Sequence, residues 1–206
     1  MAKPYDARLR ESFDITLKEA SDFFGGRGAV RTTMRRLAER LAAENISYAI
    51  VGGMAVGQHG YVRMTEDVDV LVTAEGLGRF QARCVGRGYV ATHPGAARSF
   101  RDAETGVRIE FLITGEYPGN GKPNPVSFPD PTTCSVDAEG IRLIDLARLI
   151  ELKLASGLSA PDRLRDLADV QELIRVEQLD EAFAEQLNPS VRSTFRELLA
   201  AIRARR

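Results

Sequence analysis

The chain has 206 residues, of which 44% are hydrophobic and 28% are charged. This length suits one domain, or a compact α/β unit with a helical annex, and it provides a useful core without disulfides. Lysine and arginine total 28 and aspartate and glutamate 29, so the formal net charge is −1. That balance argues against a protein that coats nucleic acid by bulk charge, although it leaves room for a local basic patch.

The cysteine content and the N-terminal segment favour a cytoplasmic protein. Cys84 and Cys134 show neither metal-binding spacing nor a disulfide framework, and Cys84 is expected to be a buried structural thiol. The first residues are charged and lack the apolar stretch of a signal peptide. No run is long enough to cross a bilayer, so we expect no membrane association.

Helical periodicity dominates residues 1–45, which we predict to be an N-terminal helical segment. Apolar residues recur at spacings of three and four in two stretches that glycines separate, and the second stretch ends near Asn45. In the first stretch these residues are Leu9, Phe13, Leu17, Ala20 and Phe24, and in the second they are Val30, Met34, Leu37 and Leu41.

An α/β core is predicted over residues 46–143, followed by a helical region over 144–206. Buried strands are expected at 48–51, 68–73 and 107–113, weaker ones at 89–92 and 98–102, and a hairpin at 135–143. Short helices fill 54–59 and 77–87. The run 115–131 is rich in glycine, proline and asparagine, so it is a loop, and loops of that length are usually functional or mobile. The fold class is therefore α/β, with a mixed sheet flanked by helices and a helical C-terminal part.

Two glycines follow the first predicted strand. Gly52 and Gly53 end the strand and lead into a short helix, whose first backbone N–H groups are free to bind phosphate. Glycine also lets a ligand approach the backbone closely. The pattern alone is weak evidence, because similar turns often serve packing only.

Acidic residues interrupt two apolar strands. Asp67 and Asp69 are two residues apart, so their side chains share one face with Cα atoms roughly 6.5–7 Å apart. Glu110 lies in a second apolar strand, and pairing of the two strands would bring three carboxylates together. Such a group suits two magnesium ions about 3.5–4 Å apart that clamp a phosphoryl group. The alternatives are solvated acids at a strand end, and for Glu110 a salt bridge to Arg63 or Arg108.

These residues resemble the nucleotidyltransferase superfamily that includes DNA polymerase beta. The pattern is Gly52-Gly53, a short helix, Arg63-x-Thr65-x-Asp67-x-Asp69 and a later acidic strand. The closer resemblance is to bacterial AbiEii-type proteins, which are associated with toxin–antitoxin and abortive-infection systems. The resemblance implies that the glycine turn holds a nucleoside triphosphate and that Asp67 and Asp69 hold Mg²⁺ or Mn²⁺. Glu110 corresponds to a third acid that is Asp in many members, and Gly53 stands where polymerase-beta-like members commonly have serine.

The resemblance extends through the C-terminal half to about residue 174. Lys153 occupies a core-facing position of a predicted helix, so it needs an anion or must reach solvent. A triphosphate, Asp166 or Asp169 could supply that anion, and pairing with an acid does not exclude nucleotide contact. Asp166 and Asp169 share a polar stripe with Arg163 on the next helix. We predict that Lys153, Asp166 and Asp169 contribute to nucleotide binding.

Further candidates rest on position alone. Arg63 would stand beside the phosphate site, and Thr65 shares the face of the aspartates if their strand begins early enough. Arg98 and Lys122 could contact an acceptor. His59 is expected to pack or hydrogen-bond at a helix end. His93, next to a proline, is interpreted as an ordinary loop residue.

The resulting hypothesis is transfer of a nucleoside monophosphate from a triphosphate to a hydroxyl of an RNA end, a protein or a small molecule. A first alternative is a nucleotide- or partner-binding module with the same fold and no turnover. A second is a toxin-like enzyme acting on RNA ends or a partner protein. A cognate antitoxin or a second copy of the chain are the expected protein partners.

Overall fold

The computed structural model describes residues 2–204. The strands in that range are β1 (Tyr48–Ile50), β2 (Asp67–Val72), β3 (Tyr89–Ala91), β4 (Ser99–Asp102), β5 (Arg108–Ile113), β6 (Ser135–Ala138) and β7 (Ile141–Ile144). The helices are α1 (Tyr5–Leu9), α2 (Phe13–Phe24), α3 (Ala29–Ala43), α4 (Gly52–Gln58), α5 (Ala74–Cys84), α6 (Pro131–Cys134), α7 (Leu146–Ser159), α8 (Leu164–Val176) and α9 (Pro189–Arg203). Short 3₁₀ segments occupy Pro161–Arg163 and Glu181–Gln186. This mixed sheet with flanking helices confirms the predicted fold class.

The strands form one sheet in the order β3-β4-β5-β2-β1-β7-β6. The central pair, β2 and β5, is parallel, and its register places Asp69 opposite Glu110 and Asp67 opposite Arg108. On one side β1 pairs antiparallel with β2, and on the other β4 pairs antiparallel with β5. The predicted pairing of the two acidic strands is therefore confirmed.

Each face of the sheet carries its own apolar core. On one face, alternate residues of β2 and β5, such as Val70 and Phe111, pack against α3 and α5. On the other face, Leu71 packs with residues of α4, α7, α8 and α9. Asp67 and Asp69 precede Leu71 on that second face, beyond the apolar contacts. The second face therefore opens into a cleft at the start of β2 and β5.

Side chains cap the starts of two C-terminal helices. Asp145 caps α7 by accepting a hydrogen bond from the Arg148 N–H, and Asn188 caps α9, which starts with a proline. Residues 115–130 lie outside helices and strands, as predicted for the long loop. None of the helices described between residues 2 and 204 combines the length and apolar character needed to span a bilayer. The division at residues 45 and 143 stays a prediction.

The opening segment differs from the prediction of one continuous helix. It forms two helices, because the Ser12 hydroxyl accepts a hydrogen bond from the Ile15 N–H and so caps a new helix at Phe13. Three of the five expected core residues are exposed: Phe13 at 75%, Leu17 at 51% and Phe24 at 62%. Periodicity identified an apolar face correctly, but it does not determine whether another element covers that face.

Four aromatic rings cluster in the first core, and we predict that Phe80 stabilises the fold strongly. Phe80 is fully buried against Tyr89, Phe100 and Phe111, with its ring centroid 4.5 Å from that of Phe111. Phe80→Ala should lower the free energy of unfolding by about 3–5 kcal/mol, measured by urea denaturation. The matched control Phe13→Ala should change it by less than about 0.5 kcal/mol, because that side chain is exposed. Equal losses in the two variants would contradict the assignment.

Candidate active site

A cleft of about 550 Å³ opens between the start of β2 and β5 and the helices α7 and α8. Its walls come from the β1–α4 turn, the two acidic strands, the loop after β5 and the facing sides of the two helices. Seven of the predicted site residues line it: Gly52, Gly53, Arg63, Thr65, Asp67, Asp69 and Glu110. Lys153 and Asp166 line it from the helical side. Sequence positions separated by more than 110 residues therefore meet in one site.

The three strand carboxylates differ in their contacts. Asp67 accepts hydrogen bonds at both oxygens, from the Thr65 hydroxyl at 3.0 Å and from Arg108 Nη2 at 2.7 Å. Burial, followed by the charge of Asp67, raises the pKa of Asp69 to about 7. Glu110 lies beside Asp69 in register and makes no ion pair among residues 2–204, so the alternative of a salt bridge to Arg63 or Arg108 is not observed.

The donor chemistry of this group fits a hard divalent cation. Carboxylate oxygens are the ligands that Mg²⁺ prefers. Burial and then the charge of Asp67 disfavour the ionised form of Asp69, and a bound cation would favour it. No three acid, histidine or cysteine side chains within residues 2–204 converge as a metal-binding group. A cation held by Asp67 and Asp69 would therefore keep water or phosphate oxygens as further ligands. Glu110 as a third ligand stays a prediction.

The glycine turn is shaped by its contacts with the strand acids. Gly52 has φ +62°, and a Cβ atom there would lie 2.0 Å from Asp69 Oδ2. At Gly53 a Cβ would lie 3.0 Å from both the Cβ and the Oγ1 of Thr65. A side chain at Gly53 would therefore press against Thr65. The turn presents backbone to the cleft.

A buried ionic network supports the opposite wall. Arg63 donates to both oxygens of Asp169 at 2.7 and 2.8 Å, and Asp169 is 1% exposed. Lys153 Nζ lies 2.7 Å from Asp169 Oδ2 and 2.8 Å from Asp166 Oδ1. The Ser156 hydroxyl donates to the second oxygen of Asp166 at 2.6 Å. The expected pairing of Lys153 with these acids is present with both, and Asp169 lies beneath Arg63 and Lys153.

These contacts favour the ionised forms of Asp169 and Arg63. Burial alone would raise the pKa of Asp169, but the hydrogen bonds and charges of Arg63 and Lys153 outweigh it and lower the pKa below its usual value. The hydrogen bond to Asp169 raises the pKa of Arg63. Both groups are therefore ionised at neutral pH, and the network is a fixed set of charges.

The remaining candidates fall in different places. His59 ends α4 and its Nε2 lies 2.9 Å from the Ile144 carbonyl oxygen, which agrees with the expected role at a helix end. His93 is exposed in a loop. Arg98 lines the cleft, where its guanidinium pairs with Glu116. Lys122 lines a separate surface depression beside Ser190, away from the cleft.

Sequence reasoning missed several cleft residues. Ser156 could have been found, since it follows Lys153 by three positions and so shares its helix face. Arg108 was considered only as an alternative partner of Glu110, whereas it pairs with Asp67 on the neighbouring strand. Glu116, Tyr117 and Phe128 belong to the long loop or its end, where no periodic signal exists.

Comparison with solved structures identifies the fold. Over 80% of the chain, the structure resembles ANT(2″)-Ia in complex with adenylyl-2″-tobramycin, with a TM-score of 0.50, 14% identity and 98% coverage of that chain. A solution structure of antibiotic-resistance factor ANT(2″)-Ia matches with a TM-score of 0.50 and 15% identity, over 84% of this chain and 95% of that one. The chain has a nucleotidyltransferase-like α/β fold.

A further likeness is weaker. An antigenic nucleotidyltransferase-like protein from Paracoccidioides brasiliensis matches over 86% of this chain and 88% of its own, with 19% identity and a TM-score of 0.46. The sequence matches no family model and no curated protein. The comparisons thus show the fold alone.

Gly52 and Gly57 lie on the same short helix and provide a matched test of the turn. Gly52→Ala should lower the free energy of unfolding by about 1–3 kcal/mol or more, because its backbone is left-handed and the new methyl group would displace Asp69. Gly57→Ala meets nothing within 4 Å and should be neutral or slightly stabilising. Thermal and urea unfolding of both variants measure the difference. A Gly52→Ala protein as stable as Gly57→Ala would contradict the close contact with Asp69.

The buried network makes Asp169 the acid whose charge the fold needs most. Asp169→Asn keeps the shape but leaves Arg63 and Lys153 buried with reduced compensation, so we expect a loss of about 3–5 kcal/mol in unfolding free energy. Asp162→Asn removes an exposed charge from the same region and should cost less than about 0.5 kcal/mol. Urea denaturation at pH 7 compares them, and a small effect at Asp169 would show that the network is not structurally required.

Proposed function

We propose that the chain is a metal-dependent nucleotidyltransferase that moves a nucleoside monophosphate from a nucleoside triphosphate to an acceptor hydroxyl. The observation that carries the proposal is the meeting of the Gly52–Gly53 turn with Asp67 and Asp69 in one cleft. A backbone turn suited to phosphate and a carboxylate pair suited to a divalent cation occupy adjacent strand ends. Proteins with a similar fold include the ANT(2″)-Ia complex with an adenylylated compound.

Different walls of the cleft would bind the cation and the phosphates. Asp67 and Asp69 would hold Mg²⁺ or Mn²⁺, with Glu110 beside them, and the cation would neutralise charge developing on the phosphate oxygens. The backbone of Gly52 and Gly53 would hold the β and γ phosphates. Lys153 has three N–H donors, of which Asp166 and Asp169 engage two, so it retains one for a phosphate oxygen.

The transfer itself is a displacement at phosphorus. The acceptor oxygen forms a bond to the α phosphorus. The bond between the α phosphorus and the oxygen that bridges it to the β phosphorus breaks, and pyrophosphate leaves. Glu110 makes no ion pair in the described chain and lies beside Asp69, so it is the carboxylate best placed to take the hydroxyl proton. Arg63 is held by Asp169, so its role is to position the wall that faces the phosphates.

A binding module without turnover is the alternative that one observation favours. Both oxygens of Asp67 already accept a hydrogen bond, from Thr65 and from Arg108, so a cation would have to compete with these donors. If that arrangement persisted with nucleotide bound, the protein would bind without transfer. The AbiEii-type relationship, a toxin–antitoxin role and cytoplasmic localisation stay predictions.

Label transfer discriminates the two functions. Purified protein, Mg²⁺ and each α-³²P-labelled nucleoside triphosphate would be incubated with cell extract, and label would be followed into RNA, protein and small molecules. Asp67→Asn with Asp69→Asn should reduce transfer by roughly 100-fold or more, because the cation loses its ligands. The control carries Asp14→Asn with Asp162→Asn, two exposed acids, and should transfer label at the wild-type rate. Absent transfer, with equal nucleotide binding by all three proteins, would reject catalysis and support the binding module.

A further inference from the structure

The strand order separates the cleft into two sides. Gly52 and Gly53 follow β1, which lies on one side of β2, whereas β5 and then β4 lie on the other. If the glycine turn holds the triphosphate, Asp67 and Asp69 stand between the triphosphate and the β5–β4 side. The acceptor must reach the α phosphate from the side that the triphosphate does not occupy. The acceptor side is therefore the one formed by β5, β4 and the loop after β5.

Two arginines line the cleft on this acceptor side. Arg108 is two residues before Glu110 on β5 and so shares its face. Arg98 precedes Ser99, the residue of β4 that pairs with Glu110. The two side chains are 48% and 47% exposed, so both can reach a ligand. They flank the carboxylate that the proposed function assigns to the acceptor hydroxyl.

Both arginines are paired with acids, and both pairs are partly exposed, so that a ligand can compete for them. Arg108 is held by Asp67, a proposed cation ligand, and a guanidinium and a divalent cation compete for the same carboxylate. Arg98 uses Nη1 and Nη2 for Glu116 and has further N–H donors. If a cation displaces Arg108 from Asp67, Arg108 loses its partner acid and can pair with another anion.

The opposite wall does not change in this way. Arg63 and Lys153 are fixed by the buried acids Asp169 and Asp166, which are not proposed cation ligands. An anionic acceptor would replace the negatively charged partner that Arg108 loses when a cation takes Asp67. The planar forks of two arginines suit the oxygens of a phosphate group.

We propose that the acceptor is a small hydroxyl compound that carries a phosphate group, which Arg98 and Arg108 bind while the hydroxyl faces Glu110. The proposal rests on the proposed function and names its acceptor class. A cleft of about 550 Å³ is of small-molecule size, and the net charge of −1 disfavours a polynucleotide. The acceptor oxygen bonds to the α phosphorus, its proton passes to Glu110 and pyrophosphate leaves, so the acceptor phosphate takes no part in bond breaking.

Calorimetry with a matched pair of probes tests the acceptor class. The protein, saturated with Mg²⁺ and α,β-methylene ATP, would be titrated with glycerol 3-phosphate, glycerol and tobramycin. Glycerol 3-phosphate should bind at least ~10-fold more tightly than the other two, and Arg98→Gln or Arg108→Gln should each weaken it by ~10-fold, because each removes a charge-assisted hydrogen bond. Arg35→Gln is the control, since Arg35 is exposed on α3 and pairs with Glu139. The Arg35→Gln variant should bind glycerol 3-phosphate with the affinity of the wild type.

Other outcomes overturn the proposal in distinguishable ways. The phosphate site would be contradicted if glycerol 3-phosphate and glycerol bound with equal affinity. It would also be contradicted if Arg98→Gln and Arg108→Gln bound glycerol 3-phosphate like wild type. Tighter binding of tobramycin would make the acceptor cationic. An oligoribonucleotide 3′ end that binds more tightly than glycerol 3-phosphate, and loses affinity in both variants, would replace the small acceptor by RNA. Failure of the methylene analogue itself to bind would overturn the proposed function, and the acceptor class with it.

The competition between Arg108 and a cation for Asp67 can be measured separately. In the nucleotide-free protein, Mn²⁺ affinity measured by electron paramagnetic resonance should rise ~10-fold in Arg108→Gln, because Asp67 loses its competing cation. Arg98→Gln is the matched control and should bind Mn²⁺ like wild type, since Arg98 pairs with Glu116. An unchanged Mn²⁺ affinity in Arg108→Gln would show that Arg108 and the cation do not compete, and would overturn the proposal.

Discussion

The ion pair between Arg63 and Asp169 joins the two halves of the molecule. Arg63 comes from the segment before β2, and Asp169 from α8, so the pair links the sheet to the C-terminal helices. Lys153 of α7 shares the same buried acid, which gives two cations and, with Asp166, two anions. Removing one partner would leave a buried charge uncompensated, which costs far more than an exposed pair contributes. The wall of the cleft that α7 and α8 form is therefore held in place by these buried ion pairs.

The charges on the other side of the cleft, in contrast, are only partly compensated. Asp69 lies among like charges, and burial with the charge of Asp67 raises its pKa to about 7. Arg108 relieves part of this charge by holding Asp67, while Glu110 has no ion-pair partner among residues 2–204. The proposed cation would bind at this strand pair, where closely spaced acids lie beside one exposed arginine. The parallel register of β2 and β5 creates this arrangement.

Much of the site could be predicted from short-range sequence rules. A spacing of two in an apolar strand places Asp67 and Asp69 on one face, and the same rule places Glu110 opposite the buried face of its own strand. Gly52 and Gly53 at a strand end predicted a tight turn, and the structure explains them through contacts with Asp69 and Thr65. The charged residue on the core stripe of α7 predicted a buried partner for Lys153. Each of these rules depends only on residues close together in the chain.

The sequence by itself determined which side chains share a face of each helix or strand, because backbone periodicity repeats every few residues. It also determined the α/β class and the turn positions. Only the tertiary structure decided that Arg108 holds Asp67, that Asp169 lies beneath Arg63, and that the apolar face of α2 is largely exposed. These contacts depend on strand register and helix packing, where one residue of shift exchanges every partner. The local sequence pattern determines the direction of a side chain, whereas long-range packing determines which residues it contacts.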